Sequence, residues 1–186
     1  MRKVILDLAV TLDGYIEGPN GEVDWCIMDN DIGGNEKSFL ETFPDEIDAV
    51  FYGRISYEMY GNYIPEEEGQ FKAFYEKVNK MDKYIFSSTL DKVDGGHIVI
   101  KDNIVEEVNR IKNQSGKNIW LFGGGSLITH FVNHNLIDEY RLALHPVILG
   151  GGKPLFQNIQ DRVNLELIDF KGSKSGVTSL YYRPKK

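Results

Sequence analysis

The sequence predicts an α/β fold in which a mostly parallel central sheet is covered by helices on both faces. Five short segments are apolar throughout and are bounded by turn residues or by helical patterns, as expected of buried strands: 3–10, 48–53, 83–88, 97–100 and 118–123. Helical patterns alternate with them at 34–42, 54–62, 67–80, 103–115 and 125–135. Strands of this kind, alternating with helices, indicate a parallel sheet that is buried on both faces.

The last third of the chain has a different pattern. Strand-like segments at 138–149, 164–173 and 177–184 follow one another with turn residues between them and no helix. We therefore expect the sheet to end in an antiparallel edge. The 186 residues contain no repeat and no linker, which predicts one domain over 1–186.

Composition narrows the class of protein. Hydrophobic residues make up 41% and charged residues 26%, as in ordinary globular domains. The net charge of -7 argues against a nucleic-acid partner, and no apolar run approaches the roughly 20 residues that cross a bilayer, so we expect no membrane partner. A single cysteine, Cys26, excludes an internal disulfide and favours the cytoplasm. His130 and His134 are spaced i, i+4 but lack the glutamate of a zincin motif, so no metal is predicted.

Three consecutive glycines separate a predicted strand from a predicted helix. Gly123, Gly124 and Gly125 follow the strand, and Ser126 begins the helix. At the carboxyl ends of parallel strands, the free amide groups and positive dipole of a helix N-terminus favour anions, and glycine allows a phosphate to approach the backbone. The motif lacks the third glycine of a dinucleotide fingerprint, so a purely structural turn remains the alternative.

Two other strand ends carry polar residues that suit a phosphate. Gly53, Arg54 and Ser56 follow one strand, and Ser87 and Ser88 follow the next. An arginine and hydroxyl groups bind phosphate oxygens through charge-assisted and ordinary hydrogen bonds. Each segment alone is also compatible with a helix start or a polar turn, but together the three strand ends favour a nucleotide site.

Five segments taken together resemble the dihydrofolate reductase superfamily, and most of all the branch containing the reductase domain of the bifunctional riboflavin-biosynthesis deaminase–reductase. They are VTLDGYIEGPNGEVDW, FYGRISYEMY, KYIFSSTL, LFGGGSLITHF and LIDEYRLALHPVILGGGKPLF. The resemblance runs in order over nearly the whole chain and implies a three-layer dihydrofolate-reductase-like fold. The deaminase half has no counterpart, because its H-x-E and P-C-x-x-C motifs are absent.

By this resemblance the three strand ends bind NADPH. The glycine–arginine–hydroxyl motif, the Ser-Ser turn and the glycine cluster hold the pyrophosphate, the adenosine end with its 2′-phosphate, and the phosphates near the nicotinamide. The cofactor-binding residues that the resemblance implies are Gly53, Arg54, Ser56, Ser87, Ser88, Gly123, Gly124, Gly125 and Ser126.

Reduction of a heterocycle also needs a proton donor. In the folate enzymes this is an acidic residue early in the first long helix. The corresponding region after Trp25 offers Asp29, Asp31 and Glu36, and Glu36 is nearest to the equivalent helix turn. We take Glu36 and Asp31 as candidate catalytic acids; a solvated loop acid is the alternative for each.

Three further residues are candidates for substrate binding. Trp25 either walls the substrate pocket or caps the core. Asp13 either shapes the site or forms an Asx-type turn with Gly14. Lys153 lies in a second glycine cluster, 149–156, and either receives a substrate phosphate or is exposed to solvent.

The sequence therefore predicts a cytoplasmic NADPH-dependent reductase of a pteridine, a ribosylamino-pyrimidine or a related small heterocycle. We also expect a homodimer through the C-terminal strands, because Tyr181 and Tyr182 would lie near an exposed sheet edge. Two alternatives remain: a binding module that kept the NADPH site without catalysis, and a structural or regulatory oligomer whose glycines serve packing alone.

Overall fold

The computed structural model describes residues 1–27 and 38–185 and has the α/β architecture that the sequence predicts. Its strands are β1 (Val4–Thr11), β2 (Tyr15–Glu17), β3 (Ile47–Gly53), β4 (Asp82–Phe86), β5 (Ile98–Ile100), β6 (Asn118–Gly123), β7 (Glu139–His145), β8 (Lys153–Pro154), β9 (Leu165–Gly172) and β10 (Thr178–Pro184). Its α-helices are α1 (Phe39–Glu46), α2 (Arg54–Tyr60), α3 (Gln70–Val78), α4 (Ile104–Lys112) and α5 (Gly125–Asn133).

The main sheet has eight strands in the order β5-β4-β3-β6-β1-β7-β10-β9. All neighbouring pairs from β5 to β7 are parallel, whereas β10 is antiparallel to both β7 and β9. The predicted antiparallel edge is thus confirmed. The edge strand itself is β9, and β10, which carries Tyr181 and Tyr182, lies next to it, between β7 and β9; both tyrosines are partly buried.

The sheet has an apolar core on each face. On one face α1, α2 and α3 contribute Phe43, Tyr57 and Phe74 to a cluster that includes Ile5 of β1. On the other face α4 and α5 pack against Leu6 and its neighbours. Each large apolar side chain that is fully buried in this way stabilises the fold by roughly 1.5–3 kcal/mol. The two cores fix the strands whose carboxyl ends carry the predicted phosphate loops.

Several element boundaries differ from the sequence expectations. In place of the helix predicted at 34–42, α1 begins at Phe39, after its N-cap Ser38, and extends to Glu46; positions 34–37 lie outside the described residues. The strand predicted at 138–149 ends at His145, because Pro146 has no N–H group to continue a ladder. The short ribbon of β2 and β8 was not predicted, since three- and two-residue strands have no periodicity to read. Within the described chain, no helix has the length and apolarity to span a membrane.

Candidate active site

The three predicted phosphate loops lie side by side on one edge of the sheet. They follow β4, β3 and β6, which are consecutive parallel strands, so all three leave the sheet at the same edge. With neighbouring strands about 4.8 Å apart, the loops of β4 and β6 are separated by roughly 10 Å. The edge therefore presents one continuous row of loops, with Ser87 and Ser88 at one end and Gly123–Gly125 at the other.

The loop after β3 touches the glycine cluster directly. A methyl group built on Gly53 would lie 3.2 Å from the backbone nitrogen of Gly124, and one built on Gly124 would lie 3.1 Å from Oγ of Ser56. Gly123 has φ +116°, a conformation that a residue with a side chain rarely adopts, and its peptide bond to Gly124 is cis. The close approach explains why glycine occupies both strand ends.

Helix α5 begins at Gly125, immediately after this contact. The amide groups of its first turn have no partner within the helix and carry the positive end of the helix dipole. Ser126 is exposed at this end. The arrangement favours an anion at the glycine cluster, which is the chemistry that the sequence predicts for it.

Lys153 lies at the same corner. A methyl group built on Gly125 would be 3.4 Å from its Cε, and one on Gly124 would be 3.9 Å from its Nζ. Its ammonium group pairs with the carboxylate of Glu17 at 3.1 Å, across the β2–β8 ribbon. The structure thus places Lys153 beside the predicted cofactor phosphates, whereas the sequence analysis considered it for a substrate phosphate.

Two of the predicted cofactor-binding residues, Arg54 and Ser87, have partners of their own. Arg54 donates from Nη1 to both carboxylate oxygens of Glu58, at 2.8 and 2.9 Å, one helical turn away. Oγ of Ser87 accepts hydrogen bonds from the backbone N–H groups of Thr89 and Leu90 at 3.2 and 3.1 Å. Ser88 is exposed. The Arg54–Glu58 pair is a surface ion pair, so a phosphate can replace its carboxylate at a cost of no more than about 1 kcal/mol.

Asp13 fastens the second glycine cluster to the first strand. Its carboxylate accepts hydrogen bonds from the hydroxyl of Thr11 at 2.6 Å and from the backbone N–H groups of Leu149 and Gly150 at 3.3 and 2.8 Å. The hydrogen bond from Thr11, with those two amide groups, holds the pKa of Asp13 below its ordinary value. Of the two roles considered for Asp13, the Asx-type turn does not form: the carboxylate bonds to a distant loop, and the N–H of Tyr15, which would close such a turn, donates to Oγ of Thr11.

Trp25 packs edge-on against His145 at the carboxyl end of β7. The two ring centroids are 5.3 Å apart, and the ring planes are at 82°. His145 is 2% exposed and lies within 3.3 Å of the backbone oxygen of Ile27 through Nε2. Nε1 of Trp25 is buried without a partner among the described residues. Trp25 thus holds the loop that ends at Ile27 against the site edge. The candidate acids Asp31 and Glu36 lie outside the described residues.

Comparison with known proteins decides the family. The RibD C-terminal domain model matches residues 2–179. The chain belongs to the RibD C-terminal domain family. Two Bacillus subtilis (strain 168) proteins are similar over nearly their whole length: YyaP is 50% identical over 183 residues, covering 97% of this chain and 94% of YyaP, and YwjB is 32% identical over 174 residues, covering 93% and 91%.

Solved structures show the same fold at lower identity. A Shewanella sp. PV-4 protein described as a riboflavin biosynthesis protein superposes with a TM-score of 0.79 and 22% identity over the whole of both chains. Enterococcus faecalis dihydrofolate reductase, complexed with NADP(H) and RAB-propyl, gives 0.68 and 14%, covering 99% and 97%. The Thermotoga maritima diaminohydroxyphosphoribosylaminopyrimidine deaminase/5-amino-6-(5-phosphoribosylamino)uracil reductase gives 0.66 and 17%, covering 99% of this chain and 57% of that one. These similarities confirm the dihydrofolate-reductase-like fold.

In this member of the RibD C-terminal domain family, Asp7 lies near the site edge but was not among the candidate acids of the sequence. Asp7 is an acid inside the apolar run VILDLAV of β1, and it lies one strand away from the end of β6. A charged residue within an otherwise apolar strand is itself a signal of a functional site, because burying an unpaired carboxylate costs stability. Two shallow grooves elsewhere, one between α1 and α3 and one below β3, lie away from the glycine edge.

Proposed function

We propose that this chain is an NADPH-dependent reductase of a small nitrogen heterocycle, either a pteridine or a ribosylamino-pyrimidine of the kind named for the Thermotoga maritima enzyme. Membership of the RibD C-terminal domain family supports a reductase. The observation that carries the proposal is the row of three loops from β4, β3 and β6 at one sheet edge. That row has the amide groups, hydroxyls and cations which a dinucleotide with an extra phosphate requires.

The residues of this edge fit a diphosphate. A methyl group on Gly124 would occupy the gap between Oγ of Ser56 and Nζ of Lys153, so only glycine leaves that gap open. We assign the diphosphate to Gly53, Ser56, Lys153 and the first turn of α5, where hydroxyl, ammonium and amide donors surround one space. When bound, the dihydronicotinamide supplies the hydride, and the protein orients the substrate and controls the proton.

Preference for NADPH over NADH follows from the loops after β3 and β4. Arg54 and Ser88 offer a guanidinium and an exposed hydroxyl to a 2′-phosphate. We expect Arg54→Ala to weaken NADPH binding while leaving NADH binding unchanged, as measured by titration calorimetry. Arg110→Ala is a matched control, because Arg110 also pairs with a glutamate on its own helix but lies on α4. Equal affinity of the wild type for the two cofactors would contradict the preference.

A thermal-shift series separates the proposed reductase from its alternatives. Saturating ligand at about 100 times its dissociation constant stabilises a protein by about 2.7 kcal/mol, so NADPH should raise the melting temperature well above NADH at equal concentration. NADPH oxidation is then followed with dihydrofolate, dihydropterins and the ribosylamino-pyrimidine. Binding without turnover of any of these would favour a non-catalytic NADPH-binding module. Absence of nucleotide binding would favour a structural oligomer.

We further propose that the protein acts as a cytoplasmic homodimer formed through β9 and β10. The edge strand β9 exposes Leu167, Ile168 and Phe170 at 52%, 48% and 66% of their surface, and sheet edges of this kind are usually covered. Light scattering at micromolar concentration should give the mass of a dimer, and Phe170→Glu should give that of a monomer. Ile98→Glu, on the opposite edge strand β5, is the matched control and should remain dimeric. A monomeric wild type would refute this arrangement.

A further inference from the structure

A row of side chains crosses the α1 face of the sheet just below the glycine cluster. Leu6 pairs with Leu121, so the next residue of β1, Asp7, lies beside Phe122, which directly precedes Gly123. In the other direction Asp7 pairs with Arg141 of β7, and Arg141 pairs with Tyr181 of β10. Asp7 shares its face with Ile5, two residues earlier, and hence with the core under α1. A carboxyl group therefore stands one residue below the candidate nicotinamide end of the edge.

The carboxylate of Asp7 has no bonding partner within residues 1–27 and 38–185, although charged groups surround it. Arg141 gives its hydrogen bonds to other acids: Nη2 donates to Glu46 of α1 at 2.9 Å, and Nε donates to Glu139 of β7 at 2.7 Å. Tyr181 of β10 lies on the other side of Arg141 from Asp7, and its ring centroid is 5.7 Å from the Arg141 guanidinium. Arg141, the cation beside Asp7, is thus already paired with two glutamates.

These surroundings explain the raised pKa of Asp7. Burial raises its pKa to about 7; Arg141 lowers it, and the carboxylates of Glu46 and Glu139 raise it. A carboxyl group with a pKa near neutrality is present in both forms under working conditions, which is the property required of a general acid.

The side chains that follow Asp7 on this face of the sheet are small. Towards the carboxyl ends of the strands, the same face carries Ala9 of β1, Ala143 of β7 and Ser179 of β10, and both alanines are partly exposed. Small side chains in three neighbouring strands leave room for a flat ring over the sheet. Such a ring would have Phe122 and the glycine cluster on one side and the carboxyl group of Asp7 beneath it.

We propose that Asp7 is the catalytic acid of the reductase, and that its carboxyl group binds and protonates the nitrogen of the substrate C=N bond. This inference rests on the proposed function. NADPH, when bound, would supply hydride to the carbon; the π electrons of the C=N bond would then move to nitrogen and form an N–H bond with the proton that Asp7 gives up. The products are the amine and NADP⁺, and the Asp7 carboxylate then regains a proton from water.

The test compares Asp7→Asn with Asp169→Asn. Asp169 is exposed on β9, opposite Tyr181 in the same row, and so controls for a charge change at a distance from the site. Asp7→Asn keeps the shape and should lower turnover roughly 10²–10⁴-fold with unchanged NADPH affinity, while Asp169→Asn should match the wild type. Turnover of the wild type should fall as the pH rises through about 7 and that of Asp7→Asn should not.

A measurement without cofactor gives an independent readout. Carboxyl ¹³C resonances of aspartate-labelled apoprotein should include one that titrates near pH 7 and is missing from Asp7→Asn. Full activity in Asp7→Asn, or a wild-type pH profile that is flat through neutrality, would overturn the assignment while leaving the reductase intact. The pH profile decides the matter even if the variant fails to fold. A wild type that reduces no heterocycle would instead refute the proposed function, and the role of Asp7 with it.

Discussion

The chain contains two runs of three glycines, and the structure uses them in different ways. In Gly123–Gly125 the backbone comes close to a neighbouring loop and then starts a helix; a methyl group on the middle glycine would face Ser56 and Lys153. In 150–152 the backbone forms an exposed turn with positive φ at Gly150 and Gly152, and Asp13 bonds to its first amide group. The same three residues thus lie between Ser56 and Lys153 in one place and form a turn in the other, because their neighbours differ.

The largest expected effect is on the turn. A methyl group on Gly152 would lie 2.1 Å from the backbone oxygen of Glu17, and its φ is +133°. Gly152→Ala should therefore destabilise the fold by roughly 3–5 kcal/mol, from overpacking against a rigid backbone together with strain. Gly150→Ala is the control, because its φ is +72° but nothing lies within 4 Å, so only about 1–2 kcal/mol is expected. Urea unfolding measures both, and equal losses would show that the contact with Glu17 is unimportant.

An intermediate effect distinguishes the two middle glycines. Gly124 has φ -85°, which any residue adopts, and the hydroxyl of Ser56 can rotate away from a new methyl group. Gly124→Ala should fold normally yet bind NADPH at least about tenfold more weakly, a loss of about 1.4 kcal/mol, because the methyl group fills the proposed phosphate gap. Gly151→Ala, whose methyl group would meet only Pro19 at 3.9 Å, should bind as the wild type does. Unchanged affinity in Gly124→Ala would mean that the first cluster serves packing alone.

The smallest expected effect concerns pH and the second cluster. The hydrogen bond from Thr11 and those from two loop amide groups lower the pKa of Asp13, so its ionised form is the one that the fold favours. This stabilisation is present above the unfolded pKa of about 3.9 and is lost as the pH falls through the lower folded value. Asp13→Asn should accordingly be less stable than the wild type at neutral pH, and the two should converge in acid. Urea midpoints at the two pH values test this, and a difference independent of pH would argue against the carboxylate bonds.

Asp13 and Asp7, six positions apart, have pKa values that are shifted in opposite directions. Asp13, at the exposed strand end, gains hydrogen-bond donors, which favour its charged form. Asp7, the fourth residue of the strand, is shifted the other way: burial and the carboxylates of Glu46 and Glu139 disfavour its charged form and outweigh the effect of Arg141. Closeness along the chain is a poor guide to the pKa of an acid, because burial and the number of hydrogen-bond donors change over a few ångströms.

The sequence by itself determined the main alternation of strands and helices and the edge on which the polar loops lie. Apolar strands alternating with helices require a parallel sheet, and parallel strands bring the ends at Gly53, Ser87 and Gly123 to one side whatever the strand order. The candidate acids Glu36 and Asp31 stay predictions, since they lie outside the described residues. The three strand-like segments at the end of the chain, with no helix between them, also predicted the antiparallel end.

Only the tertiary structure decided which residues meet. Strand order put β4, β3 and β6 next to each other. It also placed Arg141 beside Asp7, although the two residues are 134 positions apart in the sequence. It brought Lys153 from the second glycine cluster to the first, and directed Asp13 to a distant loop rather than to its own turn. Sequence patterns report local periodicity and the burial of one face, whereas contacts between distant segments depend on how the faces pack. The charge and hydrogen-bond environment of each acid therefore appears only once the sheet is assembled.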